Sequence, residues 1–288
     1  MAKLLALTFG GLALTIFLVR AEPLEGQEPS NLNLTFHSSQ SWPTVAPPFN
    51  PPLLRAPIPL GFKPPENPTP ELILGAFIGL PFRVDGTVND LGAWSLWANP
   101  EKIFKSPGLN CSGLVVSAGR FLFNQNFKLS DLKRDRTSDS GSDALFGEDW
   151  DFGLDVALNL AEGRFIRYLP EPLTATLTLS PTKRPLGWGL DIHSPEFLGL
   201  LGELVPGRIY VFVISKPDPR FKGGLSYYHL GYALVDESHN VWFYHTTARA
   251  GTHRLNVAKN PGLATFRKAF PQARRGGERR ILFLELAL

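Results

Sequence analysis

Cysteine is almost absent from this chain: of 288 residues only Cys111 carries a thiol. No internal disulfide can form, so the fold has no covalent staple of that kind. An excess of charge of one sign is missing too. The chain has 29 basic and 26 acidic side chains, and loss of residues 1–21 would leave 27 against 26, because Lys3 and Arg20 go with them. A pI near 9.0 therefore gives no support to a nucleic-acid partner, which needs a concentrated basic surface. There is no long apolar run beyond Leu4–Val19, which falls short of the roughly 20 residues a membrane helix requires. With Lys3 ahead of it and Val19-Arg20-Ala21 behind, that run reads as a signal peptide over residues 1–21, with a retained anchor as the alternative. The expectation is a secreted, periplasmic or cell-envelope protein with no stable membrane association after cleavage. No cysteine follows the run directly, which excludes bacterial lipoprotein anchoring. Internal repeats are absent as well.

The chain does have enough apolar residues, 43%, to fill a sizeable core. Residues 22–70 hold 13 of the 26 prolines, in runs such as Pro47-Pro48, Pro51-Pro52 and Pro64-Pro65. Proline fixes φ and removes a donor, so this stretch is expected to be a linker or wrapping arm that builds neither sheet nor long helix. Its apolar residues, Phe62 among them, suit packing across a domain surface. The globular domain is expected over 71–288. A helix should start near Glu71 after Thr69-Pro70, and a second, buried one should run from Cys111 to Phe123. The acidic stretch from Asp131 to Asp155 reads as loop; Asp139, Gly141, Asp143 and Glu148 match a calcium loop too loosely to predict a metal site. Leu173–Leu179 reads as a strand and Ser194–Leu204 as a helix capped by Ser194. Strands are expected at Arg208–Ile214, His229–Val235, Val241–His245 and Arg280–Leu286, with a helix near Leu263–Phe270. Helices first and a mostly antiparallel sheet afterwards indicate the α+β class.

A lone thiol in an exported protein needs a reason, and the bland one is a small buried hydrophobe. The chemical one is nucleophilic attack on a carbonyl, for which a helix start and a neighbouring imidazole favour the thiolate. Cys111 has the helix start, and the backbone there could hold an oxyanion. Of the six histidines, His37 lies in the arm, His193 just ahead of Ser194-Pro195 and His239 in the turn Asp236–Asn240. His229, His245 and His253 remain. The interval between His229 and His245 is even and centred on Glu237, so a hairpin closing symmetrically there would oppose the two rings directly, with Cβ atoms about 4.5–5.5 Å apart. His229 would then take the thiol proton while His245 fixes its tautomer. No cofactor or metal is needed for this chemistry.

Asn110-Cys-Ser-Gly-Leu-Val115 resembles the nucleophile motif of the NlpC/P60 family of papain-like cell-wall peptidases, usually Asp-Cys-Ser-Gly-Leu/Phe-Val. Leu80-Pro-Phe-Arg-Val-Asp-Gly-Thr87, Pro206-Gly-Arg-Ile-Tyr-Val-Phe212, His229-Leu-Gly-Tyr-Ala-Leu234 and Phe243-Tyr-His-Thr246 are similar to four further blocks in the same order. The resemblance implies a papain-like core, Cys111 as nucleophile, His229 as base and His245 as the third, polar member. It implies hydrolysis of an amide in peptidoglycan stem peptides through a thioester; acyl transfer or another amide substrate, or a wall-binding domain without turnover, are the alternatives. Phe82 stands where the family has a tyrosine, and Asn110 where it has an aspartate associated with recognition of a substrate amine. Stems beginning with L-alanine are therefore not the expected preference. Phe82, Asn110 and Ser112 are the expected substrate contacts, with Arg249 a carboxylate clamp. The spacing is longer than the family's, and the segment 128–194 reads as an insertion long enough to roof the cleft. Arg267, Lys268, Arg274, Arg275, Arg279 and Arg280 offer charge for an anionic wall polymer or a solvated loop.

Overall fold

Runs such as Ile209-Tyr-Val-Phe-Val-Ile214 place large apolar residues on both sides of a strand, so the sheet they form must be covered on both faces. The computed structural model describes residues 33–35, 58–59, 61–65, 68–136, 151–164, 166–171, 176–178, 188–217, 225–272 and 277–286. In chain order come β1 (Asn33–Thr35), α1 (Pro70–Ala76), β2 (Gly86–Val88), β3 (Trp94–Leu96), α2 (Cys111–Leu122) and α3 (Leu129–Leu132). Then follow α4 (Phe152–Leu160), β4 (Ile166–Leu169), β5 (Thr176–Thr178), β6 (Leu190–Asp191) and α5 (Glu196–Gly202). The last third holds β7 (Ile209–Pro217), β8 (Leu225–Val235), β9 (Val241–Thr247), β10 (Gly251–Asn256), α6 (Gly262–Ala269) and β11 (Arg280–Leu286). The protein is α+β, and its main sheet is antiparallel throughout, in the order β10-β9-β8-β7-β11-β4 with β6 pairing β11.

Strict alternation sorts the strand residues into two cores. Val211 and Val213 of β7, Leu230 and Tyr232 of β8 and Tyr244 of β9 pack with α1, α2 and α4 on one face. Tyr210, Phe212, Ile214, Ala233 and Phe243 pack with α5 and α6 on the other. Every α2 residue after Cys111 is buried, and Tyr232 donates its hydroxyl to the Val115 carbonyl at 2.7 Å, tying helix to sheet. β8 departs from alternation once. Ile214 pairs with His229 and Ser215 with Tyr227, leaving Tyr228 as a bulge residue. As a result Tyr227 belongs to the α2 face, Tyr228 packs against the α6 face, and the His229 ring also lies on the α6 side, against Phe270 and Phe212.

Several expectations need correction. The arm does contribute a strand: β1 pairs β5, in the one stretch between Pro29 and Pro43 that lacks proline. Phe62 packs on Phe77 and Phe121, with ring centroids 4.5 and 5.2 Å apart, as a wrapping arm would. The last residues of the stretch expected as loop, 152–155, open helix α4, whose packing is so complete that Gly153 has no room for a Cβ beside the Tyr227 carbonyl. The stretch 128–194 thus supplies α4 to the core and β4 to the sheet instead of standing apart as a roof. Helix α5 begins with Pro195 at its N-cap, not Ser194, and has no side-chain cap. The signal peptide, the calcium-like loop at 139–148 and Arg274-Arg275 lie outside the described residues. Among the described residues no helix is long and apolar enough to cross a membrane.

Candidate functional site

Cys111 opens α2 because Asn110 caps it. Asn110 is extended, and its Oδ1 accepts the Gly113 N–H at 2.7 Å. The glycine of Cys-Ser-Gly has a steric purpose: a Cβ on Gly113 would lie 2.0 Å from the Gly86 carbonyl oxygen, which itself accepts the Asn110 N–H at 2.9 Å. The segment 81–86 is laced to the helix entry by Arg83 N–H to Leu109 O, 3.0 Å, and Leu109 N–H to Pro81 O, 3.1 Å. Its other end is fixed to β10 by the Gly79–Thr252 and Thr252–Leu80 backbone bonds, both 2.8 Å. Phe82 is therefore held half-buried beside Leu109, next to the helix start.

The sulfur meets main chain. Cys111 is half-buried, and its thiol donates to the Tyr228 carbonyl at 3.8 Å while the Leu230 N–H reaches it from the other side of His229. Burial pushes the thiol up from its ordinary range; the Leu230 N–H, the Ser112 hydroxyl and N–H, and its own N–H pull it partly back. Ser112 is buried under the turn, so its hydroxyl serves the sulfur rather than an open cleft. Arg249 is exposed in the turn between β9 and β10.

The two imidazoles do come together. His229 Nε2 and His245 Nδ1 are 3.0 Å apart, with ring planes crossing at 87°. They are not directly opposed, however. Val235 pairs with Val241 and Tyr232 with Tyr244, so the hairpin centres on Ser238 instead of Glu237. The Asp236 carboxylate sets that centre by accepting from the Ser238 and Asn240 N–H groups, the Asn240 amide and the Trp242 indole, while His239 adopts φ 57°. Moving the centre by one residue shifts pairing by two, which keeps both rings on one face and makes them diagonal neighbours. Gly231, between them, could not carry a Cβ: it would sit 2.6 Å from the Tyr244 oxygen. His229 is 6% exposed and His245 is sealed. Burial drives His229 down to about 3 and His245 well below its usual value, His253 adding to both.

The rings lie among Phe212, Phe266 and Phe270, whereas Cys111 packs against the core on the α2 face. No hydrogen bond joins the sulfur to either imidazole; it touches the backbone that carries His229. A third imidazole, His253, remained a candidate in the sequence without a role. His253 pairs directly with His245 across β9 and β10, ring centroids 4.4 Å apart. The signal was present: the interval 245–253 is even and centred on Arg249, inside a turn of Ala-Arg-Ala before Gly251 at φ 65°. Away from these groups, carboxylate oxygens of Asp135, Asp151 and Asp155 lie within 4.8 Å of one another, the one such cluster of metal-type ligands among the described residues. No family model, curated protein or solved structure matches this chain.

Proposed function

We propose that the protein is an exported cysteine hydrolase with a papain-like core, which cleaves an amide in peptidoglycan stem peptides. The observation that carries this reading is the seating of a helix-start thiol on the two peptide groups flanking His229, a histidine whose Nε2 is already engaged by a second imidazole. Substrate class rests on the resemblance of five sequence blocks to the NlpC/P60 family.

With a raised thiol and a depressed imidazole, the resting pair is neutral on both sides. Attack therefore proceeds by general-base catalysis, not from a standing ion pair. In this structure the sulfur bonds the Tyr228 carbonyl while the His229 ring faces Phe270, so the reaction requires the thiol to leave that carbonyl and the two groups to be brought together first. The proton then passes to His229 Nδ1 as the C–S bond forms, and the tetrahedral oxyanion is held by backbone N–H groups at the start of α2. Collapse breaks the C–N bond, and the imidazolium returns the proton to the departing amine. Water, deprotonated by the same nitrogen, then hydrolyses the thioester and frees the thiol. Capture of the thioester by an amine in place of water would make the same site an acyltransferase. A wall-binding domain without turnover is the second reading, favoured by the sulfur's bonds to main chain.

Purified sacculi incubated with wild type, Cys111→Ser and His229→Ala, followed by mass spectrometry of released peptides, separate these. Release by the wild type should vanish in Cys111→Ser and fall by about 10²–10⁴-fold in His229→Ala. Equal release by Cys111→Ser overturns the proposal, and co-sedimentation with sacculi without release favours the binding domain.

A further inference from the structure

His253 lies outside the triad that the proposed reaction uses, yet the hydrogen bonding of the three imidazoles is incomplete without it. His253 Nδ1 is 2.9 Å from the Gly251 carbonyl oxygen. A carbonyl only accepts, so this nitrogen carries the hydrogen. Beyond that hydrogen, what the His253 ring offers its neighbour is the acceptor character of its π face. The ring it packs on is His245, at 4.4 Å between centroids; His229 is at 5.2 Å, Phe270 at 6.0 Å, and Phe212 and Phe266 at 6.2 Å from His245. His245 Nδ1 bonds His229, and His245 Nε2 is buried with no hydrogen-bond partner.

Two tautomer patterns satisfy the 3.0 Å contact. If His245 donates from Nδ1, then His229 accepts at Nε2, its hydrogen sits on Nδ1, and it has no lone pair left with which to act as a base. If His229 donates from Nε2, its Nδ1 is a base, but His245 must hold its hydrogen on the buried Nε2. An N–H sealed from water without an acceptor is among the costlier defects in a protein interior.

We propose that His253 is a positioning residue of this site: its acceptor face receives the His245 Nε2–H and so selects the tautomer that leaves His229 Nδ1 free to take a proton. The polarity then starts from a backbone oxygen at the beginning of β10 and runs through three rings to the reacting centre. This assignment rests on the hydrolase reading for its purpose, although not for its physics.

Long-range ¹H–¹⁵N spectra of the full chain, labelled at histidine, report which nitrogen of each ring is protonated. The wild type should show both His229 and His245 with hydrogen on Nε2. In His253→Leu both should move to the Nδ1–H form, and peptide release should fall about 10²-fold through kcat with KM unchanged. His253→Gln, whose side-chain oxygen can accept, should restore the wild-type tautomers. A wild-type His245 protonated on Nδ1, or tautomers unaltered by His253→Leu, overturns the proposal; the wild-type spectrum alone decides should the leucine variant fail to fold. Correct tautomers together with full release by Cys111→Ser would instead sink the hydrolase reading and leave the relay standing.

Discussion

Burial fixes the protonation of thiol and imidazole in the resting protein. Cys111 is held as a thiol because its surroundings penalise the anion more than the nearby N–H groups stabilise it. Alkylation proceeds through the thiolate, so the resting protein should react with iodoacetamide more slowly at pH 7 than free cysteine does. The rate should climb only above the ordinary thiol range near pH 8.5, as intact-mass spectrometry across pH would show. A fast, pH-independent reaction at neutrality would mean a preformed thiolate and contradict this environment. Much of the residue-level picture was legible in advance: the even 229–245 interval brought two rings to one face even though the turn closed one residue later than expected. The sulfur's place was not legible, since it depends on the Tyr228 bulge, and no spacing in the sequence announces an extra residue in a strand.

At the scale of elements, legibility followed the locality of the signals. Helix α1 was readable because Thr69 and Pro70 start it with their own chemistry, Thr69 Oγ1 accepting the Leu72 N–H at 3.3 Å. Strand β11 was readable because Ile281–Leu284 is an apolar run bounded by Arg280 and Glu285. Helix α4 was not, as nearly every residue in it is buried and no amphipathic period separates it from a strand or loop. Strand β10 hid for the opposite reason: it is an edge, with Arg254 exposed and Asn256 half-buried. The entry of α2 is the element on which the site turns, and Gly113 tests it. Gly113→Ala places a Cβ against backbone that side-chain motion cannot relieve, so urea unfolding should show a loss of about 1–3 kcal/mol. Gly75→Ala in α1, where nothing lies within 4 Å of the added carbon, should be neutral or stabilising by up to about 1 kcal/mol. Equal effects at the two positions would refute the close-approach account.

For the molecule as a whole, the buried histidines couple folding to acidity. His229 titrates near 3 when folded and near 6.5 when unfolded, so between those values the unfolded chain binds the proton and the native chain does not. Stability contributed by this difference is intact above about pH 6.5 and is lost progressively as pH falls toward 3. Melting temperatures should decline across that window, and His229→Gln should flatten the decline; an unchanged slope would show that His229 is not the group responsible. The same architecture has a consequence at its margin. Strand β10 ends the sheet on one side, and a free sheet margin invites a second chain to join it. Here the Leu80 backbone and Gly79 occupy the outward bonding groups of Thr252, and the segment they belong to runs on to brace the start of α2. A lesion that loosened this strap would disturb the thiol's seat and expose a sticky edge at once, so a displaced thiol and the onset of aggregation would share one origin.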